Sequence, residues 1–302
     1  MSRRRVIWII LVLLMLGGAG GLAVAFDPAA RVQGWVRGEP FFQDRSATAW
    51  RRELRNPDEN LAIAATTTLA SGKDKAIPVC VWLLKHADES PVRWRAAEAL
   101  KNMGKDAAPA GPDLVVALTD SDPFVRGVAI RVVGDLAPDV PGAVAGLIPL
   151  FPDVEAIRAV AKFKQAGAEA VPKLIELTRH EDAAVRRQSV RTLGKIGVPA
   201  MASLPTLITL TGTDPVSGVR EQSAEAIGDI GPTAAEGIPV LVKALKDSDT
   251  MVRRDAVRSL GQMGPTAKSV LTEVRTLIKD PEEKVRDAAT TAVRLIDPAG
   301  KP

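Results

Sequence analysis

The sequence predicts an all-α chain, an α-α superhelix of about eight helix pairs. Three observations carry that prediction. An aliphatic-Arg pair recurs at a nearly constant interval, each copy opens a helical apolar stripe, and the core must be built almost without rings. Aromatic residues are 4% of the 302, with no Tyr, against 46% hydrophobic overall. A core made of Ala, Val, Leu and Ile suits closely stacked helices, and a fixed period marks a repeat array whose units pack on their neighbours.

The recurring pair reads Val92-Arg93, Val125-Arg126, Ile157-Arg158, Val185-Arg186, Val219-Arg220, Val252-Arg253 and Val285-Arg286, with a degenerate first copy at Leu61-Ala62. Four residues after each aliphatic stands Ala or Ser: Ala65, Ala96, Ala129, Ala161, Ser189, Ser223, Ala256 and Ala289. Eight after it stand Leu100, Val133, Leu193, Ile227, Leu260 and Val293. Positions 0, 4 and 8 share one helical face, and the small middle residue lets neighbouring helices approach.

Glycines near the ends of these helices, Gly104, Gly197, Gly231 and Gly264, suit a left-handed C-cap. Pro78, Pro112, Pro172, Pro205 and Pro239 then mark the first turn of another helix, where a missing N–H costs nothing. Short acidic loops lead back to the Val-Arg helix, and their Asp and Ser residues can cap it. One unit is therefore a first helix A, an acidic turn and a second helix B, repeated over residues 46–297. The fourth unit departs: it is short, carries Pro149 inside its first helix, and lacks the usual Leu and Gly.

These motifs resemble HEAT repeats, in particular the short bacterial subtype named for its similarity to phycobilisome lyases. The resemblance is carried best by Ile238-Pro239-Val240-Leu241-Val242-Lys243-Ala244-Leu245, Asp249, Val252-Arg253, Ala256, Leu260-Gly261 and Met263-Gly264. It covers about five-sixths of the chain and implies a HEAT/ARM-type solenoid. It also implies that Arg93, Arg126, Arg158, Arg186, Arg220, Arg253 and Arg286 form a structural ladder with loop aspartates. Its functional implication is a scaffold for protein–protein interaction. The alternative is a lyase-like enzyme or enzyme accessory acting on a cofactor-bearing protein.

Residues 1–26 read as an address. Arg3, Arg4 and Arg5 precede a 21-residue uncharged stretch over residues 6–26, long enough to span about 30 Å of hydrocarbon. Ala23-Val24-Ala25 fits a signal-peptide cleavage pattern. A cleaved signal and a retained transmembrane anchor share one orientation, with the remainder of the chain exported and, in the anchored case, tied to the membrane through residues 6–26. Residues 27–45 show no helical period and read as a linker or irregular N-terminal cap; residues 298–302 read as a tail.

Composition narrows the partners. Lys and Arg number 40 against 36 Asp and Glu; without the three leading arginines the balance is 37 against 36. That is no basis for nucleic-acid binding, which needs a concentrated basic face. Cys80 is the only cysteine, so no internal disulfide forms, which fits a bacterial envelope better than a eukaryotic secretory route. The lone thiol reads as a packed, inert one. His86 and His180 are the only histidines, and the single His180-Glu181 pair supplies too few metal ligands. No catalytic constellation or cofactor fingerprint appears, so the sequence predicts a non-enzymatic protein with no metal or cofactor site.

Two further expectations concern surfaces. Positions 2, 6 and 10 of helix B alternate in sign from the fifth unit onward. They predict lateral ion pairs linking Arg187, Glu221, Arg254 and Asp287, and others linking Arg191, Glu225 and Arg258. All five tryptophans lie before residue 95. Trp82 and Trp94 occupy positions that hold charged residues in other units. They are the candidate partner contacts, with capping of the solenoid end by residues 35–50 as the competing role for the ring cluster.

Overall fold

The computed structural model describes residues 27–299; the expected signal or anchor, residues 1–26, lies outside the described residues, as do positions 300–302 of the tail. The described chain is all-α apart from a hairpin of two two-residue strands, and it divides into two compact units, one ending at Pro141 and the other beginning at Gly142.

The first unit opens with α1 (Arg31–Arg37) and the hairpin β1 (Phe41–Phe42) and β2 (Arg45–Ser46). Three helix pairs follow: α2 (Ala47–Leu54) with α3 (Glu59–Ser71), α4 (Ile77–His86) with α5 (Ser90–Met103), and α6 (Gly111–Ala117) with α7 (Pro123–Asp135). Asp58 and Asp122 cap α3 and α7, accepting from Asn60 N (2.9 Å) and Phe124 N (2.8 Å). Pro78 and Pro112 stand in the first turns of α4 and α6. The stripe residues Val92, Ala96, Leu100, Val125, Ala129 and Val133 are fully buried, so the predicted period is the packing period.

Residues 27–45, where the sequence shows no helical period, hold a helix and most of a hairpin. The helix has no apolar stripe because tertiary packing holds it. A side chain at Gly34 would collide with Ser46, and one at Gly72 would collide with the Phe42 ring. Phe42 in turn lies 5.7 Å from the Trp50 ring, whose Nε1 donates to Phe42 O at 3.1 Å. The buried Glu39 carboxylate accepts from Thr48 Oγ1 (2.6 Å) and Thr48 N (2.8 Å). This piece is anchored to the first helix pair by rings and by a satisfied buried charge.

The second unit holds five pairs: α8 (Ala143–Leu147) with α9 (Val154–Lys162), α10 (Val171–Leu177) with α11 (Ala183–Ile196), α12 (Leu204–Thr213) with α13 (Ser217–Ile230), α14 (Ile238–Ala244) with α15 (Thr250–Gln262), and α16 (Leu271–Thr276) with α17 (Glu283–Ile296). In the first of these, Pro149 is placed differently from the expectation. The five-residue α8 ends at Leu147, and Pro149 sits in the 3-10 turn Ile148–Leu150 that follows it. A proline inside so short a helix would remove a bond it cannot spare.

The repeated glycines serve two needs. A Cβ at Gly194 or Gly261 would stand 2.9 Å from the Cα of Ala226 or Ala292 on the next helix B, so glycine sets how closely these helices stack. Gly197 and Gly231 end their helices at φ 75°, ψ −138° and φ 86°, ψ −155°. That is an extended mirror region open to glycine, and it differs from the left-handed cap the sequence suggested.

Candidate protein-binding face

The arginine ladder is built the same way at four places. Arg93, Arg186, Arg220 and Arg253 each send Nη1 back to two carbonyls of their own loop and offer Nε and Nη2 to an aspartate of the next pair. The forks close on Asp120 (2.7 and 2.8 Å), Asp214 (2.9 and 3.0 Å), Asp247 (2.8 and 2.9 Å) and Asp280 (2.9 and 3.1 Å). Each bidentate pair is charge-assisted and largely sheltered from water. The Arg220 and Arg253 guanidinium groups hold Asp247 and Asp280 below the usual carboxylate range. At Asp120 burial pushes up, but the Arg93 fork and the Asp122 amide bring the pKa down.

Three of the seven expected arginines make no such rung among the described residues. Arg126 and Arg286 donate to their own loop carbonyls, and Arg158 pairs with Glu155 on its own helix at 2.7 Å, both groups half exposed. A rung from the first pair went unnoticed in the sequence: Arg51 on α2 binds Glu89 (2.7 Å) and Asp88 (2.8 Å). Its arginine lies on helix A, outside the Val-Arg motif.

On the B helices of the second unit, charges face each other and pair. Glu221 lies 3.9 Å from Arg187 and 3.7 Å from Arg254, and Lys195 reaches Glu225 (3.3 Å) and Asp229 (2.8 Å). The rest of the expected pattern does not form. Asp255, only 2% exposed, takes Arg254 at 2.8 Å and Arg258 at 3.2 Å, so neither Asp287 nor Glu225 receives those arginines. A buried carboxylate on the same helix outcompetes an exposed one on a neighbour. Desolvation, then the nearby Asp255 charge, raise the Glu221 pKa.

The first unit presents a different surface at the same repeat positions. Where the second unit has Arg187, Glu221 and Arg254, the first has Ile63 on α3, Trp94 on α5 and Gly127 on α7. Trp94 is half-buried, and a cavity opens on each side of it. One, of about 310 Å³, is lined by Ser90, Pro91, Trp94, Arg95, Asp122 and Phe124. The other, of about 270 Å³, lies among Glu59, Ile63, Thr66, Trp94, Glu98 and Asn102. Phe124 is 73% exposed and Ile63 52%. A Cβ at Gly127 would meet nothing within 4 Å. A glycine inside a helix costs about 1 kcal/mol relative to alanine, and here no internal contact requires it.

Beneath Trp94 lies Arg95, 9% exposed, its guanidinium carbon 5.6 Å from the Trp94 ring centroid and its Nη2 2.5 Å from Glu59. Its Nε is buried with no hydrogen-bond partner. The face thus combines an aromatic ridge, an unfilled floor and a spare donor.

The other tryptophans sort differently. Trp50 is buried and anchors the hairpin. Trp82 is half-buried on α4, stacked on the His86 ring at 4.8 Å, and adjoins neither cavity. Cys80 is fully buried, and desolvation pushes its thiol up to about 12, which leaves no thiolate for chemistry. Among the described residues no cluster of three or more His, Cys, Asp or Glu could hold a metal, and no helix is long and apolar enough to cross a membrane.

The family match decides what the chain is. HEAT repeats match residues 47–134, 152–228 and 204–294. The chain belongs to the HEAT-repeat family. No curated protein sequence matches it. Among solved structures, a chain of the Kap95p–RanGDP complex superposes with a TM-score of 0.60 at 12% identity, over 91% of this chain and 44% of that one. Kap121p gives a TM-score of 0.50 at 14% identity, over 83% and 37%. The CpcE–CpcF complex of phycocyanin lyase from Nostoc sp. gives 0.43 at 22% identity, over 50% and 98%. At these identities the likeness to Kap95p–RanGDP and Kap121p is one of fold.

Phe124, Gly127, Ile63 and Arg95 were not singled out in the sequence. Aligning the units on their Val-Arg pairs would have found Ile63 and Gly127, since both stand where other units carry charge.

Proposed function

We propose that this HEAT-repeat protein is a non-catalytic scaffold that binds another protein through the B-helix face of its first unit, with Trp94 as the central contact. The supporting observation is a half-buried tryptophan between two cavities, beside a largely exposed phenylalanine. Solvent-facing positions in a repeat array rarely carry large rings without a partner, and tryptophan is a frequent hot spot. The self-paired charges of the second unit leave that face fewer free groups to offer. The scaffold is exported or membrane-anchored through residues 1–26, a reading supported by the basic start and the long apolar run.

The test is affinity capture with the full-length protein from native membrane and periplasmic fractions. A stoichiometric partner should be retained by the wild type and lost by Trp94→Ala, with a loss of about tenfold or more in affinity. A bound chromophore or turnover of a small molecule would instead favour the lyase-like accessory. A reporter fused at Lys301 and active only in the cytoplasm would refute export.

A further inference from the structure

The groove beside Trp94 has a chemistry that its apolar walls alone do not fix. The two cavities share Trp94 and Arg95, and their walls carry three carboxylates, Glu59, Glu98 and Asp122, against one cation, Arg95. The placement of these charges sharpens the imbalance. The Arg95 side chain is sunk to 10% exposure, whereas its partner Glu59 is 61% exposed, so the anion of that pair faces the groove mouth. Asp122 caps α7 through Phe124 N and Val125 N, and the Ser90 hydroxyl holds its pKa below the usual carboxylate range. No cation neutralises Asp122 by direct contact among the described residues. The remaining cations on these helices are engaged: Lys101 on Glu98 at 2.6 Å, Arg93 in its ladder fork, Arg126 on the Asp120 and Ser121 carbonyls at 2.7 and 3.0 Å, and Arg131 on the Gly127 carbonyl at 3.2 Å.

We propose that the groove takes a peptide segment of a partner protein that carries a Lys or Arg beside an apolar side chain. The apolar side chain lies on Phe124 and Pro91, and the cation lies over the open part of the Trp94 ring, on the side of Asp122. Gly127 lets the peptide backbone come down onto α7, where any larger residue would stand in its way. With a small shift of its guanidinium, the unpartnered Arg95 Nε can donate to a peptide carbonyl, so the spare donor gains the acceptor it lacks. An anionic ligand, nucleic acid included, would meet the exposed Glu59 carboxylate and Asp122, which no cation contacts directly among the described residues. This inference rests on the reading that the first unit binds protein.

The experiment titrates the purified full chain with three acetylated peptide amides, Arg-Phe-Arg, Ala-Phe-Ala and Glu-Phe-Glu, following tryptophan fluorescence and heat of binding. The expected order is Arg-Phe-Arg tightest, with a dissociation constant about tenfold or more below that of Glu-Phe-Glu, and with the gap shrinking as salt is raised. Asp122→Asn, which keeps the cap, should narrow the gap. Gly127→Leu, which suits a helix better than glycine, should weaken Arg-Phe-Arg about tenfold at an unchanged or raised melting temperature. Equal or tighter binding of Glu-Phe-Glu overturns the proposal, as does absence of saturable binding by all three, or indifference to Gly127→Leu. If Trp94→Ala abolishes capture of the native partner while Glu-Phe-Glu wins, protein binding stands and this chemistry fails. If Arg-Phe-Arg wins in a Gly127-dependent way while Trp94→Ala leaves capture unchanged, the groove chemistry stands and the scaffold contact lies elsewhere.

Discussion

The same repeat position is used in opposite ways in the two units. In the second, Arg187, Glu221 and Arg254 sit two residues past the repeat aliphatic, and the face closes on itself through ion pairs. In the first, Ile63, Trp94 and Gly127 hold that place, and the face stays open, with a cavity either side of the ring. The backbone unit is common to both; the stripe residues that do not build the core decide whether a face is finished or awaits a partner. A solenoid can therefore separate the task of stacking from the task of binding along one helix, two residues apart.

The sharpest way to test that separation compares two tryptophans of the first unit. Trp50→Ala removes a ring at 2% exposure that packs on Phe42 and donates to its carbonyl. Urea unfolding should show a loss of about 3–5 kcal/mol. Trp94→Ala should cost about 1 kcal/mol or less in the same assay, since the ring is half exposed, while it removes partner binding. Equal stability losses would mean that Trp94 is a second structural ring and that the two faces do not differ in kind.

A smaller effect is expected from the ladder, which is common to both units. Arg220→Ala removes the guanidinium from Asp247, which keeps only the Asp249 amide, and from two loop carbonyls, and should cost about 2–3 kcal/mol. Arg258→Ala should cost under about 0.5 kcal/mol, because its side chain is 51% exposed and Arg254 still holds Asp255. A large Arg258 effect would show that the paired face of the second unit is structural rather than merely neutralised.

The pH dependence follows the same division. Asp120, Asp247 and Asp280 have depressed pKa values in the folded state. Their contribution is fully present above the unfolded value of about 4. It falls away as acid titrates them through their lower folded values. Glu221 has the opposite sign: its folded pKa is raised, so it opposes folding above its unfolded value. Glu221→Gln should therefore leave stability at pH 7 unchanged or slightly higher, and should flatten the pH profile just above the unfolded carboxylate value of about 4. A marked loss at pH 7 would show that the pairs with Arg187 and Arg254 outweigh desolvation.

The period of the fold was legible because it lies in residues that must be buried: Val92, Ala96 and Leu100 repeat as Val125, Ala129 and Val133, and the prolines mark first turns. The start of the first unit was not. α1 has no stripe and exists because Gly34 and Gly72 make room for Ser46 and Phe42, contacts that no local pattern encodes. The charge pairs were legible only in part. Spacing places Glu221 between Arg187 and Arg254, but Asp255, one residue off the stripe, captures two arginines because it is buried. Trp94 stood out by breaking the repeat, while Phe124, in a capping turn, and Gly127, conspicuous for what it lacks, needed the geometry around them.

The claim that the first unit binds and the second is self-satisfied is tested most directly by amide hydrogen exchange on the full chain with and without its captured partner. The account predicts slowed exchange in α3, α5 and α7 around Ile63, Trp94 and Phe124, with α13 and α15 unchanged. Protection centred on Glu221 and Arg254, with α5 unaffected, would contradict it.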